Sequence, residues 1–295
     1  MRRILLILLI LLILLPLHAG AEVYLSADVP QDWADRELLR VTILETGRSD
    51  AILVECGGEN MLIDGGDGSW SEALRSDLQK RGLTRFRYFL NTHPHNDHIE
   101  GLTALMQWGY RPERFMSPFA ADWDDESYHQ AALQIAWDRG ITFRLARHGD
   151  VLPLGNAQVH IYRCTEYTSC NDRSAIQLIT FGESRMLLAA DLPGNTQKAM
   201  LELVGKEGLQ AEIIKAPHHG ENAMVTEFLT VVDPSLILCT APEADAPDLA
   251  RQARSRELPL LFSGEGEIVL ETDGVDWYVW QNPAQGRSRA EQTAP

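Results

Sequence analysis

The chain has 295 residues, 45% of them hydrophobic and 23% charged, with a formal net charge of -16 at pH 7. That balance supports a folded protein with a sizeable core and excludes a low-complexity or fibrous chain. An acidic surface repels phosphate backbones, so charge-driven nucleic-acid binding is disfavoured.

The N-terminus reads Met1-Arg2-Arg3, then twelve Ile and Leu residues from Ile4 to Leu15, then Pro16 and Ala19-Gly20-Ala21. A basic start, a short apolar run and a small-x-small site describe a signal peptide over residues 1–21, cleaved after Ala21. The run is shorter than the roughly 20 apolar residues of a membrane span, and no second span follows. Residues 22–281 are therefore expected to form one periplasmic or secreted domain without an integral membrane part. A polar, disordered tail is expected over 282–295. Of the four cysteines, Cys164 and Cys170 are the candidate disulfide, whereas Cys56 and Cys239 lie in apolar runs as buried thiols.

After an irregular lead-in over 22–37, strands are predicted at Leu39–Thr46, Ala51–Cys56 and Met61–Asp64, separated by glycine turns. Asp64-Gly65-Gly66 ends the third strand with an acid at its tip. A helix over Ser71–Arg81 leads to a strand at Phe86–Thr92 and a second helix over His98–Trp108. Between them lies Asn91-Thr-His-Pro-His-Asn-Asp-His98, with His93, His95, Asp97 and His98 within six positions. No packing argument explains such a cluster, and neutral imidazoles with a carboxylate bind divalent metals at neutral pH.

A polar, aromatic-bearing connection over 117–128 precedes a helix near His129–Arg139. Strands are predicted at Thr142–Ala146, Gln158–Arg163, Ser174–Phe181 and Arg185–Ala190, the last ending on Asp191. A helix at Thr196–Val204 and a strand at Glu212–Lys215 lead to Ala216-Pro-His-His-Gly220. Helices near 223–231 and 245–256 and strands at 235–240, 260–262, 267–272 and 275–280 complete the chain. This rhythm suits two sheets flanked by helices. His129, His148 and His160 read as surface or strand histidines, and Trp70, Trp108, Trp123 and Tyr128 as packing aromatics or cleft walls.

Taken together, His93, His95, Asp97, His98, Asp191 and His219 suffice for two adjacent metals sharing one carboxylate. Such a pair acidifies water to a pKa of about 7 and clamps a substrate oxygen. The order Asp64, His-x-His-x-Asp-His, Asp191, His219 resembles the metallo-β-lactamase superfamily. Glu45-Thr-Gly-Arg-Ser-Asp-Ala-Ile-Leu-Val, Leu62-Ile-Asp-Gly-Gly, Asn171-Asp-Arg-Ser, Leu187-Leu-Ala-Ala-Asp and Lys215-Ala-Pro-His-His-Gly are similar, more narrowly, to the extracytoplasmic hydrolase domain of ComEC-type DNA-uptake proteins.

The resemblance implies an α/β fold, an αββα sandwich of two mixed β-sheets flanked by helices. It implies His93 and His95 on one metal, Asp97, His98 and His219 on the other, and Asp191 bridging. Asp64 would orient a histidine, and His218 would contact a substrate phosphate. Asp97 and His218 are the candidate catalytic groups, and Lys215 is a further candidate to offset phosphoryl charge. Zinc is the expected ion, with manganese and iron as alternatives.

The chain departs from the family at three places. Asn171 and Asp172 stand where relatives supply a third histidine to the first metal, so that site is expected to be the weaker. Glu100 replaces a glycine and narrows the loop, and Glu45 replaces an aspartate. The function implied is a metal-dependent phosphodiesterase using a metal-bound hydroxide. An ester, lactone or β-lactam hydrolase on the same site is the alternative, as is a binding protein with a degraded site.

Overall fold

Strands whose residues are apolar on both faces need a cover on each side, and that requirement sets the layering. The computed structural model describes residues 21–121, 123 and 127–284. The first half runs β1 (Val23–Tyr24), β2 (Leu39–Ile43), β3 (Ile52–Cys56), β4 (Glu59–Ile63), α1 (Ser71–Lys80), β5 (Tyr88–Leu90), α2 (Asn96–Gln107) and β6 (Arg114–Ser117). Then come α3 (Ser127–Asp138), β7 (Phe143–Leu145), β8 (Val151–Leu154), β9 (Ala157–Tyr162), β10 (Ile176–Phe181) and β11 (Ser184–Leu188). The last part holds α4 (Gly194–Leu209), β12 (Ile213–Lys215), α5 (Thr226–Val232), β13 (Leu236–Cys239), α6 (Pro247–Ser255), β14 (Leu260–Phe262), β15 (Ile268–Thr272) and β16 (Trp277–Gln281).

The strands form two mixed sheets, ordered β1-β16-β15-β2-β3-β4-β5-β6-β7 and β14-β13-β12-β11-β10-β9-β8. Alternation sorts their side chains. Val54, Met61, Tyr88 and Leu90 of the first sheet meet Val159, Ile179, Met186 and Leu238 of the second in one central core. Leu53, Leu62, Phe89 and Phe115 face the other way, onto Leu78 of α1, Leu102 and Met106 of α2 and Ala132 of α3. Leu187, Ile214 and Ile237 likewise face Met200 of α4, Phe228 of α5 and Leu249 of α6. The result is the expected αββα sandwich.

Three strands escape the sequence reading. β1 lies in the expected irregular lead-in and pairs in parallel with β16. β6 is short and begins with Arg114, so no alternation marks it. β8 carries Pro153, which a strand tolerates at a sheet edge, and β8 is an edge. The helix expected to end at Val204 does break there, because Gly205 takes φ 75° before the chain turns on to Leu209.

Residues 282–284 belong to the domain rather than the tail: Asn282 N donates to Glu267 O at 2.8 Å and Ala284 N to Glu265 O at 3.2 Å. The remainder of the tail, 285–295, and the signal-peptide residues 1–20 lie outside the described residues. Among those described, no helix is long and apolar enough to cross a membrane. No disulfide joins Cys164 to Cys170; all four cysteines are buried thiols.

The parallel run β4-β5-β6-β7 brings its C-terminal ends to one edge of the sandwich, where loops from the second sheet meet it. Close contact between two glycines sets the loop before α1 against the first turns of α2. A Cβ on Gly101 would sit 1.8 Å from Gly65 O, and one on Gly65 would sit 2.3 Å from Leu102 N. Both obstructing atoms are backbone, so the clash has no cheap relief. Gly101→Ala is expected to cost about 3 kcal/mol of stability or more, measured by urea unfolding; an unchanged midpoint would contradict this contact.

Candidate metal centre

The loop from Asn91 to His98 starts where β5 ends and enters α2 through Asn96. Asp64, at the tip of β4, is fully buried and organises this loop. Its carboxylate accepts from Asn91 Nδ2 at 2.9 Å, Thr92 N at 2.8 Å and Thr92 Oγ1 at 2.6 Å. It also lies 2.8 Å from His98 Nδ1, so the opposite ring nitrogen, Nε2, turns toward Asp191. The expected orienting role of Asp64 therefore has a geometry, with His98 as the ring it fixes.

A second carboxylate does the same for the other sheet. Asp50, just before β3, lies 3.1 Å from His219 Nδ1 and accepts from Thr240 Oγ1 at 2.6 Å. Its other oxygen takes the Lys215 ammonium, which also donates to Ala190 O at 3.1 Å. In the sequence, Asp50 sits inside the Glu45-Thr-Gly-Arg-Ser-Asp stretch with no expected role of its own. The available signal was an acid at the head of a strand too apolar to face water.

Between these two anchored rings lies Asp191, 1% exposed after β11. Its Oδ1 is 3.3 Å from His98 Nε2, and its Oδ2 is 3.6 Å from His219 Nε2 and 3.7 Å from His93 Nε2. His93 Nε2 and His95 Nδ1 approach within 3.1 Å of each other. Asp97 Oδ2 lies 3.3 Å from His219 Nε2, and Asp97 Oδ1 3.9 Å from His98 Nε2. The structure thus brings all six expected ligands together. Ligand atoms of Asp50, His98, Asp191 and His219 also lie within 4.8 Å of one another. Lys215 and Thr240 already occupy the oxygens of Asp50, so it orients His219 instead of offering an open donor.

The electrostatics fit a cation. Burial alone would raise the Asp191 carboxyl and lower the His98 ring, yet each holds the other's charged form: Asp191 is pushed well below the carboxylate range and His98 well above the imidazole range. Burial drives His93 the opposite way, to a neutral ring. Lys215 offsets Asp50, leaving Asp97 and Asp191 facing one another across the histidines. His98 Nε2, His219 Nε2 and Asp191 Oδ1 are buried without a hydrogen-bond partner among the described residues. Orphaned buried atoms are costly, and a divalent ion would satisfy all three at once. Of the six non-glycine residues with positive φ among those described, Asp64, Ala190, His218 and His219 are four, so backbone strain concentrates here.

The remaining sequence candidates divide. Asn171, in the loop before β10, keeps a buried Oδ1 without a hydrogen-bond partner among the described residues, as a weak ligand would. Asp172 does not replace the third histidine: it accepts from Ser169 Oγ at 2.6 Å, Asn195 Nδ2 at 2.9 Å and Thr196 Oγ1, tying the loop to the start of α4. Lys215 is fully buried on Asp50 and Ala190, so it does not face substrate. Glu100 leaves the histidine loop alone and accepts from Gly68 N at 2.9 Å. Glu45 lines a cavity of about 350 Å³ with Leu74, Asp77 and Glu267.

His218 is half-buried, with Nε2 3.7 Å from Asp191 Oδ2 and Nδ1 3.2 Å from Glu221 Oε2; Arg48 holds that same Glu221 oxygen at 3.0 Å. Sequence reasoning missed Glu221 and Arg48, whose partnership no local pattern announces. His129 is a core histidine bonded to Ala120 O at 3.0 Å. Trp108 carries Arg75 on its ring at 4.9 Å.

The family model of the metallo-beta-lactamase superfamily matches residues 44–163, the segment that holds Asp50, Asp64 and the histidine loop. Over that segment the chain is similar to the metallo-β-lactamase superfamily. It is 23% identical over 224 residues to ComE operon protein 3 of Bacillus subtilis, covering 68% of this chain and 28% of that protein. The chain therefore corresponds to well under a third of that relative's length. Two solved structures share its fold. The metallo-beta-lactamase fold protein YhfI of Bacillus subtilis matches with a TM-score of 0.56 and 13% identity, over 80% of this chain and 100% of that one. CmlA of Streptomyces venezuelae, a diiron beta-hydroxylase, matches with a TM-score of 0.52 and 14% identity, over 77% of this chain and 52% of that one. Since the second is no hydrolase, the fold alone does not fix the reaction.

Lys215 tests the framework: it is not itself an expected ligand, and its ammonium lies 4.0 Å from Asp191 Oδ1. Lys215→Ala strips Asp50 of its counter-charge in the interior, so a loss of about 3–5 kcal/mol in unfolding free energy is expected. A loss below about 1 kcal/mol by denaturant titration would contradict the buried pair.

Proposed function

We propose that this chain is a metal-dependent phosphodiester hydrolase working in the periplasm or outside the cell. The observation that supports the reading most is the convergence of His98 Nε2, His219 Nε2 and Asp191 Oδ1, all buried and all without a hydrogen-bond partner among the described residues. His93 and His95 with Asp191 would hold one ion, and Asp97, His98 and His219 with Asp191 the other; Asn171 is the candidate weak ligand on the first. Zinc suits this donor set, as do manganese and iron. The ions, when bound, supply Lewis acidity and bring the pKa of a bound water close to neutrality.

The chain's own residues supply the rest. Asp64 and Asp50 hold the His98 and His219 rings in one orientation, so donor atoms need no rearrangement when substrate arrives. Asp97 and Asp191 present negative charge to the ions and orient whatever proton the attacking water carries. His218 reaches solvent on one side, and Glu221 and Arg48 fix its Nδ1. Its Nε2 is thereby left to hydrogen-bond a phosphoryl oxygen or the departing alkoxide. That half-exposed imidazole, together with the Lys215-Ala-Pro-His-His-Gly resemblance, favours a phosphodiester over a lactone or β-lactam. Export is supported by the pattern of residues 1–21. Cleavage after Ala21 would leave the new α-amino group of Glu22 at Asp276 Oδ1, where its nitrogen already lies at 3.0 Å.

Purified protein loaded with zinc or manganese is expected to hydrolyse bis(p-nitrophenyl) phosphate. Asp191→Ala should abolish turnover, and His218→Ala should lower kcat by about a hundredfold. Turnover that survives complete chelation of the metal, or that Asp191→Ala leaves intact, would refute the proposal.

A further inference from the structure

Thr92, the residue before the first histidine, is 2% exposed and carries a hydroxyl that belongs to no expected ligand. Its Oγ1 lies 2.6 Å from Asp64 Oδ2 and 3.1 Å from His93 Nδ1. Among the described residues, that hydroxyl is the one hydrogen-bond partner of His93 Nδ1. The same Asp64 oxygen lies 2.8 Å from His98 Nδ1, closer than the 3.5 Å that separates this nitrogen from the Thr92 hydroxyl. One carboxylate oxygen thus faces His98 directly and His93 through a single intervening oxygen.

The placement of protons follows from the donors around Asp64. Its other oxygen accepts from Asn91 Nδ2 and Thr92 N, so the carboxylate is the acceptor of this network. A hydroxyl has one proton and two lone pairs. Beside a carboxylate at 2.6 Å, that proton is committed to Asp64 in a charge-assisted bond. Thr92 therefore has only a lone pair to offer His93, and Nδ1 carries the proton of the ring. In a neutral imidazole the opposite nitrogen then holds the free pair. That nitrogen, Nε2, points into the cluster, 3.1 Å from His95 Nδ1 and 3.7 Å from Asp191 Oδ2. The reverse tautomer would turn an N–H into the cluster and remove His93 as a ligand. Asn91 adds a second link, because the Nδ2 held by Asp64 also donates to His93 O at 2.6 Å.

We propose that the Thr92 hydroxyl is a positioning group for the first ion, relaying Asp64 to His93, so that one buried acid selects the ligating nitrogen of a histidine in each ion site. That role rests on the two-ion reading of the cluster and not on which bond is cleaved. It carries an asymmetry. Removing the hydroxyl reaches one ion site, whereas removing the carboxylate reaches both. A threonine that merely filled space at the end of β5 would show no such selectivity.

Calorimetric zinc titration of the metal-free protein reads the two sites, and His95→Ala identifies the step that belongs to the first ion. Thr92→Val keeps the shape of the side chain and removes its oxygen. It is expected to weaken the first-ion step about 10–100-fold, while the other moves by less than about threefold. Thr92→Ser should restore the first step, and Asp64→Asn should weaken both. Equal weakening of both steps in Thr92→Val, or weakening of neither, would overturn the relay and leave the metal centre standing. A native protein with no zinc step that His95→Ala removes would overturn the two-ion reading, and the relay with it.

A second readout needs no metal and covers a Thr92→Val protein that fails to fold. Proton–nitrogen correlation spectra of native, metal-free protein made with isotope-labelled histidine are expected to show the His93 proton on Nδ1. Thr92→Ser should keep that pattern, and folded Thr92→Val or Thr92→Ala should show a mixture of tautomers. A native His93 ring protonated on Nε2 alone, or a pattern that loss of the hydroxyl leaves unchanged, would overturn the proposal.

Discussion

A buried ion pair between Asp50 and Lys215 joins the two sheets at the edge where the site is built. Asp50 stands at the head of β3 in one sheet and Lys215 at the end of β12 in the other, and both are nearly or wholly excluded from solvent. The same carboxylate reaches His219 and Thr240, so a single contact fixes the separation of the sheets and the tilt of a candidate ligand. An ion pair in this position is weak evidence for net stability, since apolar replacements often match it. What it supplies is register between two layers that otherwise meet through shapeless aliphatic contact.

Asp64 and His98 repeat that arrangement on the other side of Asp191. Each histidine has its own buried carboxylate on Nδ1, and both Nε2 atoms turn inward. With Asp97 and Asp191 added, carboxylates outnumber permanent cations in the cluster. A site of this charge favours protons on His98 and His219 when no metal is present and exchanges them for a divalent ion when one arrives. Backbone strain at Asp64, Ala190, His218 and His219 shows where the fold accepts local cost to hold that geometry.

Much of this was readable before any coordinates. The histidine loop, Asp64, Asp191 and His219 each end a strand-like run, and strand ends are where such folds place chemistry. The layering followed from the rhythm of strands and helices along the chain. The parts that stayed hidden are those created by distance in sequence. Asp50 looks like any acid before a strand until Lys215, 165 residues later, is set against it. Asp172 looks like a ligand until Asn195 and Thr196 are seen to claim it. Glu100 looks like an obstruction until its carboxylate is found on Gly68.

The cup formed by the six candidate ligands is, on this account, a metal centre. Metal content after reconstitution with zinc and extensive dialysis, determined by plasma mass spectrometry, tests it most directly. Retention of one to two ions per chain by the native protein is expected, falling below half an ion in a folded Asp191→Ala, His98→Ala double variant. A native protein that retains no zinc, manganese or iron, or a double variant that retains as much as the native chain, would contradict the account.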